Sequence, residues 1–222
     1  MAKPKAPREN LTIGWCDNGM VDAKFTEGLV YSIINGIGSG LPIVNAMRVT
    51  GNQIGRQRQN LIDMWYDKNS SDWLLWIDSD VVVTRDIIKK LWDQKDAVER
   101  PMVSGVYMVT TANETSFMQP LPDVFRDTGN EHILEFVHPL PKETFRADSA
   151  GFGLLLMHRS VVTKLREHHT VFFYENMQSE EKFVGEDIVF FRKCKALDIP
   201  LYVDGTIVAP HMKRFSFDEN YY

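Results

Sequence analysis

The sequence has little cysteine, no long apolar run and no large excess of charge of either sign. Two of its 222 residues are cysteine, Cys16 and Cys194, and they form no Cys-x-x-Cys pair. This argues against a disulfide framework and favours a reducing compartment such as the cytoplasm. No apolar run approaches the roughly 18–20 residues that span a bilayer, so we expect no integral membrane association. The formal net charge of −5 argues against a surface devoted to nucleic acid.

The N-terminal segment MAKPKAPREN is basic and proline-rich, but no apolar region follows it, so it does not have the pattern of a secretory signal. We expect a flexible basic tail over residues 1–10 and a single domain over residues 11–222. Apolar residues make up 44% and charged residues 25% of the chain, which is the balance of an ordinary soluble globular protein. The length suits one α/β domain with a sizeable core.

Strand and helix patterns alternate along the first half of the chain. Strands are predicted at residues 11–16, in the second part of 37–51, at 72–77 and at 101–109. Helices are predicted at residues 21–35, at 52–68 and after Val83, with Thr84 as the N-cap. The alternation predicts an α/β fold with a mostly parallel sheet and helices on both faces. In such sheets ligands bind outside the carboxyl ends of the strands.

Two carboxylates, Asp78 and Asp80, follow the apolar run DWLLWI with Ser79 between them. Residues i and i+2 of an extended chain point to the same side, so both carboxylates can converge on one point. Paired carboxylates suit Mg²⁺ or Mn²⁺. Three chemistries use such a pair: sugar-nucleotide transfer, phosphohydrolysis of the haloacid-dehalogenase type, and nucleotidyl transfer. A helix cap with a surface salt bridge is the non-functional alternative.

Two later segments carry further candidate residues. In DSAGFG, Gly151 and Gly153 flank Phe152, and small residues there let a ligand approach the backbone, although a tight turn is the alternative. In GEDIVFF, Glu186 and Asp187 open a predicted helix, where the macrodipole favours negative charge. One of these carboxylates can also serve as a general base.

The segment VDGTIVAPHMKR places His211 after a short apolar run, with Lys213 two residues further on. A histidine can complete a metal shell, and a lysine can meet a phosphate as a point charge. A surface histidine without such a role is the alternative for His211.

The order of these motifs resembles that of GT-A-fold glycosyltransferases, in particular the inverting, family-2-like kind. An apolar strand ends in Asp-x-Asp, an aromatic Gly-x-Gly segment follows about 70 residues later, and Gly-Glu-Asp opens a helix before a final histidine. The segments GRQRQNLIDMW and VSGVYM, before and after Asp-x-Asp, are also similar to that family. Gln59 stands where the family has an asparagine. The resemblance covers residues 11–212.

The resemblance implies a GT-A, Rossmann-like fold with three parts. These are a nucleotide-sugar half over residues 11–109, an acceptor half over 110–212 and a C-terminal tail over 213–222. It also implies a nucleoside diphosphate sugar as the donor, a UDP-sugar first, and Mn²⁺ or Mg²⁺ as the cofactor. The donor would contact Asp17, Arg58, Asp78, Ser79 and Lys213. The metal would be held by Asp78, Asp80 and His211.

On the acceptor side, the resemblance implies Asp187 as the general base, with Glu186 as the fallback. The acceptor would be bound by Asp148, Gly151, Phe152 and Gly153. Saccharides, proteins, lipid-linked sugars and modified DNA bases all stay open as acceptors, and a compact soluble transferase would suit a virus or phage. A DNA acceptor would require one basic face built from Lys142, Arg146, Arg159, Lys213 and Arg214.

Three alternatives to a glycosyltransferase are a haloacid-dehalogenase-type phosphohydrolase, a nucleotidyltransferase and a binding module without catalytic activity. The haloacid-dehalogenase motif normally lies on the first strand, whereas a strand–helix–strand–helix unit precedes it here. A nucleotidyltransferase would carry a glycine-rich, arginine-containing loop after the first strand, and GWCDNGMVDAKF matches it poorly. A non-catalytic module that binds nucleotide sugars also stays open.

Overall fold

The computed structural model describes residues 9–110, 120–128, 134–174 and 185–213. Most of the predicted N-terminal tail and all but the first residue of the predicted C-terminal tail lie outside the described residues. The helices in the described part are α1 (Ala23–Gly38), α2 (Ile54–Lys68), α3 (Arg85–Gln94), α4 (Arg159–Arg166) and α5 (Glu186–Ala196). None of them is long and apolar enough to cross a membrane.

The strands of the described part belong to one large and two small sheets. The strands of the large sheet are β1 (Leu11–Asp17), β2 (Ile43–Thr50), β3 (Trp73–Ile77), β4 (Met102–Val106), β9 (Thr144–Ala147), β11 (Leu154–His158) and β12 (Leu201–Val208). The small sheets are formed by β5 (Met108–Val109) with β6 (Leu121–Pro122), and by β7 (Val124–Asp127), β8 (Leu134–Phe136) and β10 (Ser149–Ala150).

The large sheet has the strand order β2-β1-β3-β11-β4-β12-β9. The pairs β1–β2, β1–β3 and β4–β12 are parallel. Strand β11 is antiparallel to both of its neighbours, β3 and β4, and β9 is antiparallel to β12. The prediction of an α/β fold with a mostly parallel sheet is therefore confirmed. Because β11 runs in reverse, its first residues lie at the edge where β3 ends.

Strand β3 shows why the sheet is covered on both faces. All five of its side chains are apolar and buried. Leu74 and Trp76 pack into one core cluster, while Trp73, Leu75 and Ile77 pack into the other. Burying such a side chain contributes about 1.5–3 kcal/mol each, so a strand of this composition is stable only between two layers of helices.

The helices divide between the two faces. Buried residues of α2, α4 and α5 belong to the first core cluster, and those of α1 and α3 belong to the second. The predicted N-cap of α3 is confirmed, because Thr84 Oγ1 accepts the Ile87 N–H at 3.3 Å. Helix α2 ends against Arg159, whose guanidinium donates to the carbonyl oxygens of Tyr66 and Asn69.

Candidate active site at the carboxyl edge of the sheet

The carboxyl ends of β1 and β3 form one border of a cavity of about 420 Å³. The strands are parallel neighbours, so Asp17 at the end of β1 and Asp78 after β3 reach the same edge. Ser79, Asp80 and Arg58 also line this cavity. The structure thus brings together most of the residues that the resemblance assigned to a donor.

Arg58 joins two motifs that are far apart in the sequence. Its Nη2 lies 3.3 Å from Asp78 Oδ1, and its Nη1 donates to Glu186 Oε1 at 2.6 Å. The side chain is only 6% exposed, and its guanidinium carbon lies 4.9 Å from the centroid of the Phe152 ring. Burial alone would lower the pKa of Arg58, but the carboxylates of Asp78, Glu186 and Asp187 raise it overall. Arg58 therefore stays charged and ties the Asp-Ser-Asp segment to the start of α5.

Asp187 lies in the first turn of α5 and is partly buried. Burial raises the pKa of this carboxyl group to about 7; Arg58 opposes the shift, and the negative charges of Glu186 and Asp123 add to it. Its Oδ1 accepts the Ile188 N–H at 2.8 Å. A carboxyl group that titrates near neutral pH has the proton affinity of an efficient general base.

Asp80 forms a charged cluster with two residues from the end of the described chain. His211 Nε2 lies 3.1 Å from Asp80 Oδ2, and Lys213 Nζ donates to the same oxygen at 3.1 Å. Burial opposes the effect, but hydrogen bonds from His211 and Lys213 hold the pKa of Asp80 below its usual range. His211 Nδ1 lies 2.8 Å from the Met108 carbonyl oxygen, which can only accept, so Nδ1 carries the hydrogen.

The three residues predicted to hold a metal are not gathered into one site. The part of the chain that the structure describes contains no group of three His, Cys, Asp or Glu side chains arranged for a metal ion. Asp78 is turned to Arg58 instead of joining Asp80 and His211. The chemistry of the Asp80–His211 pair nevertheless fits a divalent cation, because it offers a carboxylate oxygen and an imidazole nitrogen oriented by a backbone carbonyl.

Asp17, predicted to contact the donor, is held by hydrogen bonds within the protein. Arg48 donates to its two oxygens from Nε at 2.5 Å and from Nη2 at 2.7 Å, and the Gly19 N–H donates at 2.7 Å. The Arg48 hydrogen bond holds the pKa of Asp17 below its usual range. The Asp17 side chain has no exposed surface, whereas that of Arg48 is 45% exposed. Asp17 therefore fixes Arg48, and its own contact with a donor stays a prediction.

The Gly-Phe-Gly segment is enclosed by protein atoms. A Cβ on Gly151 would lie 1.9 Å from Tyr107 Oη and 2.0 Å from Asp123 Oδ2, and a Cβ on Gly153 would lie 2.7 Å from the Tyr107 ring. Phe152 is fully buried in the core. The structure gives no support to acceptor contacts from Gly151, Phe152 and Gly153, because these glycines make room for Tyr107 and Asp123 and not for a ligand.

Asp148 faces a different part of the surface. Its Oδ1 lies 2.8 Å from Lys195 Nζ, and its Oδ2 accepts the Asp127 N–H at 2.9 Å. These contacts hold it at a second cavity of about 390 Å³, beside β9 and the last turn of α5. The structure does not bring Asp148 to the cavity of Asp78, so its predicted acceptor contact gains no support.

The basic face expected for a DNA acceptor is not assembled in the described part of the chain. Arg159 is turned inward to the end of α2, where it donates to backbone oxygens such as that of Tyr66 at 2.8 Å. Lys213 is paired with Asp80. Arg214 lies outside the described residues.

Sequence reasoning missed Tyr107 and Asp123, which lie between the two motifs that Arg58 joins. Tyr107 Oη accepts the Gly153 N–H at 3.2 Å and is hydrogen-bonded to the Asp123 carboxyl group. Burial raises the pKa of Asp123, and the negative charge of Asp78 adds to this effect. One signal was present for Tyr107, which belongs to the segment VSGVYM that is similar to the glycosyltransferase family, and none was found for Asp123.

No protein-family model and no curated protein sequence matches this chain. Among solved structures, the protein A197 from STIV matches with a TM-score of 0.56 and 18% identity, over 92% of this chain and 86% of that one. GalNAc-T7, crystallised with UDP, GalNAc and Mn²⁺, matches with a TM-score of 0.54 and 10% identity, over 95% of this chain and 45% of that one.

These likenesses concern the fold, because both identities are low. Together with the seven-stranded, mostly parallel sheet, they show that the chain has a GT-A-like α/β fold. This confirms the fold that the motif order implied. A shared fold does not establish an activity, so the activity of this chain must be argued from its own residues.

Proposed function

We propose that this protein is a metal-dependent glycosyltransferase. It transfers a sugar from a nucleoside diphosphate sugar, a UDP-sugar first, to an acceptor hydroxyl group with inversion at the anomeric carbon. The proposal rests on the fold, on the cavity at the carboxyl edge of the sheet and on the residues around it. Saccharides and modified DNA bases are both candidates for the acceptor.

One observation carries the proposal: Arg58 holds Asp78 and Glu186 at the same edge of the sheet. The Asp-Ser-Asp segment suits the diphosphate end of a donor, and the start of α5 supplies a carboxyl group poised near neutral pH. A displacement at the anomeric carbon requires a bound donor and a base held close together, and Arg58 links the segments proposed for the two roles. Hydrolysis through Asp78 as a nucleophile fits less well, because Arg58 already occupies that carboxylate.

Asp187 is the proposed general base, with Glu186 as the fallback. The ionised Asp187 takes the proton of the acceptor hydroxyl group while the acceptor oxygen forms a bond to the anomeric carbon. The bond between that carbon and the diphosphate oxygen breaks, and the nucleoside diphosphate leaves with the bonding electrons. A single displacement of this kind inverts the configuration of the anomeric carbon.

Negative charge develops on the leaving diphosphate during this step. Residues around Asp80, away from Asp187, can stabilise that charge. Lys213 provides a positive charge beside Asp80. Mn²⁺ or Mg²⁺ would be held by Asp80 and His211 and would supply Lewis-acid neutralisation of the leaving diphosphate. Arg48, fixed by Asp17, borders the part of the edge where the nucleoside would lie.

The proposal is tested by thermal unfolding with a panel of UDP-, GDP-, CMP- and TDP-sugars, each with and without Mn²⁺. A ligand that binds only the folded state raises the melting temperature by mass action. We expect one nucleotide class to stabilise the protein, with Mn²⁺ present, and the effect to disappear in Asp80→Ala. The matched control is Asp93→Ala, which removes an exposed carboxylate of α3. No stabilisation of a folded wild type by any sugar nucleotide would falsify the proposal.

A further inference from the structure

Tyr107 lies where the Asp-Ser-Asp segment, the Gly-Phe-Gly segment and His211 meet. It follows β4 directly and is only 4% exposed. Its Oη accepts the Gly153 N–H at 3.2 Å, and its ring packs edge-on against the His211 ring, with centroids 4.9 Å apart. Tyr107 is thus in contact with Gly153, which is hydrogen-bonded to the backbone of Asp78, and with His211, which is paired with the Asp80 carboxylate.

The first of these contacts supports Asp78. The Asp78 N–H donates to the Gly153 carbonyl oxygen at 3.1 Å, so Gly153 is hydrogen-bonded to Tyr107 on one side and to Asp78 on the other. A Cβ on Gly153 would lie 2.7 Å from the Tyr107 ring and 2.9 Å from Asp78 Oδ2. The ring, the turn and the carboxylate are therefore packed with no room for a methyl group between them.

The second contact supports Asp80. The ring of His211 is held between Tyr107 and the Met108 carbonyl oxygen, which accepts from Nδ1 at 2.8 Å. This places Nε2 3.1 Å from Asp80 Oδ2. The orientation of the imidazole, and with it the position of Asp80, depends on the neighbouring residues 107 and 108.

Asp123 in turn orients the hydroxyl group of Tyr107. The Asp123 N–H donates to the Tyr107 carbonyl oxygen at 3.0 Å, and the Gly151 N–H donates to the Asp123 carbonyl oxygen at 3.1 Å. The Asp123 carboxyl group is hydrogen-bonded to Tyr107 Oη. With its hydrogen directed to Asp123, the hydroxyl oxygen presents a lone pair to the Gly153 N–H.

We propose that Tyr107 is a positioning residue for both carboxylates of the Asp-Ser-Asp segment, and that Asp123 orients its hydroxyl group. This inference rests on the proposed function, which assigns Asp78 and Asp80 to the diphosphate end of the donor. Tyr107 is too buried to touch a substrate, so it acts through Gly153 and His211.

The test compares Tyr107→Phe, Asp123→Ala and Asp123→Asn. The first removes only the hydroxyl group, the second removes its partner, and the third keeps an oxygen that can accept the hydrogen bond. Tyr66→Phe is the matched control, because the Tyr66 hydroxyl group also makes one hydrogen bond, to Thr163 Oγ1 at 2.9 Å on the surface. Amide hydrogen exchange of Gly153 and Asp78 reports the position of the segment, and calorimetric titration with Mn²⁺ and UDP reports ligand binding.

We expect Tyr107→Phe and Asp123→Ala to speed exchange of both amides and to weaken Mn²⁺–UDP binding about three- to tenfold, as expected for one lost hydrogen bond. Asp123→Asn and Tyr66→Phe should stay within about twofold of the wild type, since both keep the Tyr107 hydroxyl group and an acceptor oxygen at position 123 that orients it. Wild-type exchange rates and Mn²⁺–UDP affinity in Asp123→Asn, compared with Asp123→Ala, would show that the acceptor oxygen at position 123 is what matters.

Two results would overturn the inference. Exchange of the Gly153 and Asp78 amides that is unchanged in Tyr107→Phe would show that the hydroxyl group does not hold the segment. Faster exchange with unchanged Mn²⁺–UDP affinity would show that the contact is structural only. If the wild-type protein binds no nucleoside diphosphate, the proposed function itself is overturned, and this outcome is distinct from the two results above.

Discussion

At the scale of single residues, one buried cation faces several carboxyl groups. Arg58 makes direct ion pairs with Asp78 and Glu186 but none with Asp187. For Asp187 the opposing effect of Arg58 is smaller than the effect of burial, and its pKa rises to about 7. The three carboxyl groups around Arg58 are thereby divided into two that stay bound to the cation and one that exchanges a proton near neutral pH.

This division predicts the effect of Asp187→Asn on the proposed reaction. The variant keeps the shape of the site but cannot accept a proton, so transfer should fall by about 10²–10⁴-fold, the usual contribution of a general base. Binding of Mn²⁺–UDP should be unchanged. For the wild type, the rate should rise with pH through about 7, because Asp187 must be ionised to act.

The measurement is the pH profile of sugar transfer, with donor affinity determined by calorimetry on the same samples. Asp127→Asn is the control, since it removes a carboxylate that pairs with Lys195 and does not line the cavity of Asp78. Near-normal turnover by Asp187→Asn would move the role of the base to Glu186.

At the scale of secondary structure elements, the end of α2 and the start of α4 are joined by one side chain. Arg159 is the first residue of α4, and its guanidinium donates to the carbonyl oxygens of Trp65, Tyr66, Asn69 and Ser71. The last carbonyl groups of a helix have no partners within it, so a cation at this point satisfies them and matches the helix dipole. Helix α2 also carries Arg58, so this anchor helps to fix the cation of the site.

Arg159→Met should therefore lower the free energy of unfolding by about 2–4 kcal/mol, because several partly buried carbonyl oxygens lose a charged donor. Lys164→Met on the same helix should change it by less than about 0.5 kcal/mol, since Lys164 is exposed. Urea denaturation of both variants decides the matter. Equal stability of the two would mean that water replaces the guanidinium at no cost.

The elements that could be predicted from the sequence are those fixed by local patterns. The run WLLWI had to be a buried strand, and Thr84 had the side chain and the position of an N-cap. The place of Asp78 at the ligand edge followed from the same strand. Local pattern therefore located the half of the site that is formed by β1, α2 and β3.

The other half depends on pairing between distant segments, which no local pattern encodes. Strand β11 inserts in reverse between β3 and β4, and the small sheet of β7, β8 and β10 brings Asp123 to Tyr107. Asp123 and Asp148 both lie between β4 and β11, yet Asp148 pairs with Lys195 and Asp123 contacts Tyr107. The sequence pattern identified the glycines of Gly-Phe-Gly, but it did not indicate why glycine is needed there, which is the close approach of Tyr107.

At the scale of the whole molecule, the partly buried carboxyl group of Asp187 should make stability depend on pH. Its pKa is about 7 in the folded protein and about 3.9 in an unfolded chain. Between these values the folded state binds more protons than the unfolded state. The contribution of this group to stability is therefore present below about pH 4 and is lost as the pH rises through about 7.

Asp187→Asn should remove this dependence, because an amide does not titrate. The melting temperature of the variant minus that of the wild type should become more positive between pH 5 and pH 8. Thermal unfolding monitored by circular dichroism at several pH values measures this difference, without any ligand or activity. A difference that stays constant with pH would contradict the raised pKa.

The reversed strand β11 also determines what would happen if the chain were cut in two. Val98 is 79% exposed in the turn before β4, at the edge away from Asp78. A split there leaves Arg58, Asp78 and Asp80 on one fragment, and Asp187 and His211 on the other. Because β11 pairs with β3 from the first fragment and with β4 from the second, the two pieces can only fold by interleaving. Neither fragment alone has a complete site. Sugar transfer that is recovered when the fragments are mixed would therefore be proportional to the number of reassembled molecules. The two fragments would then report on their own association.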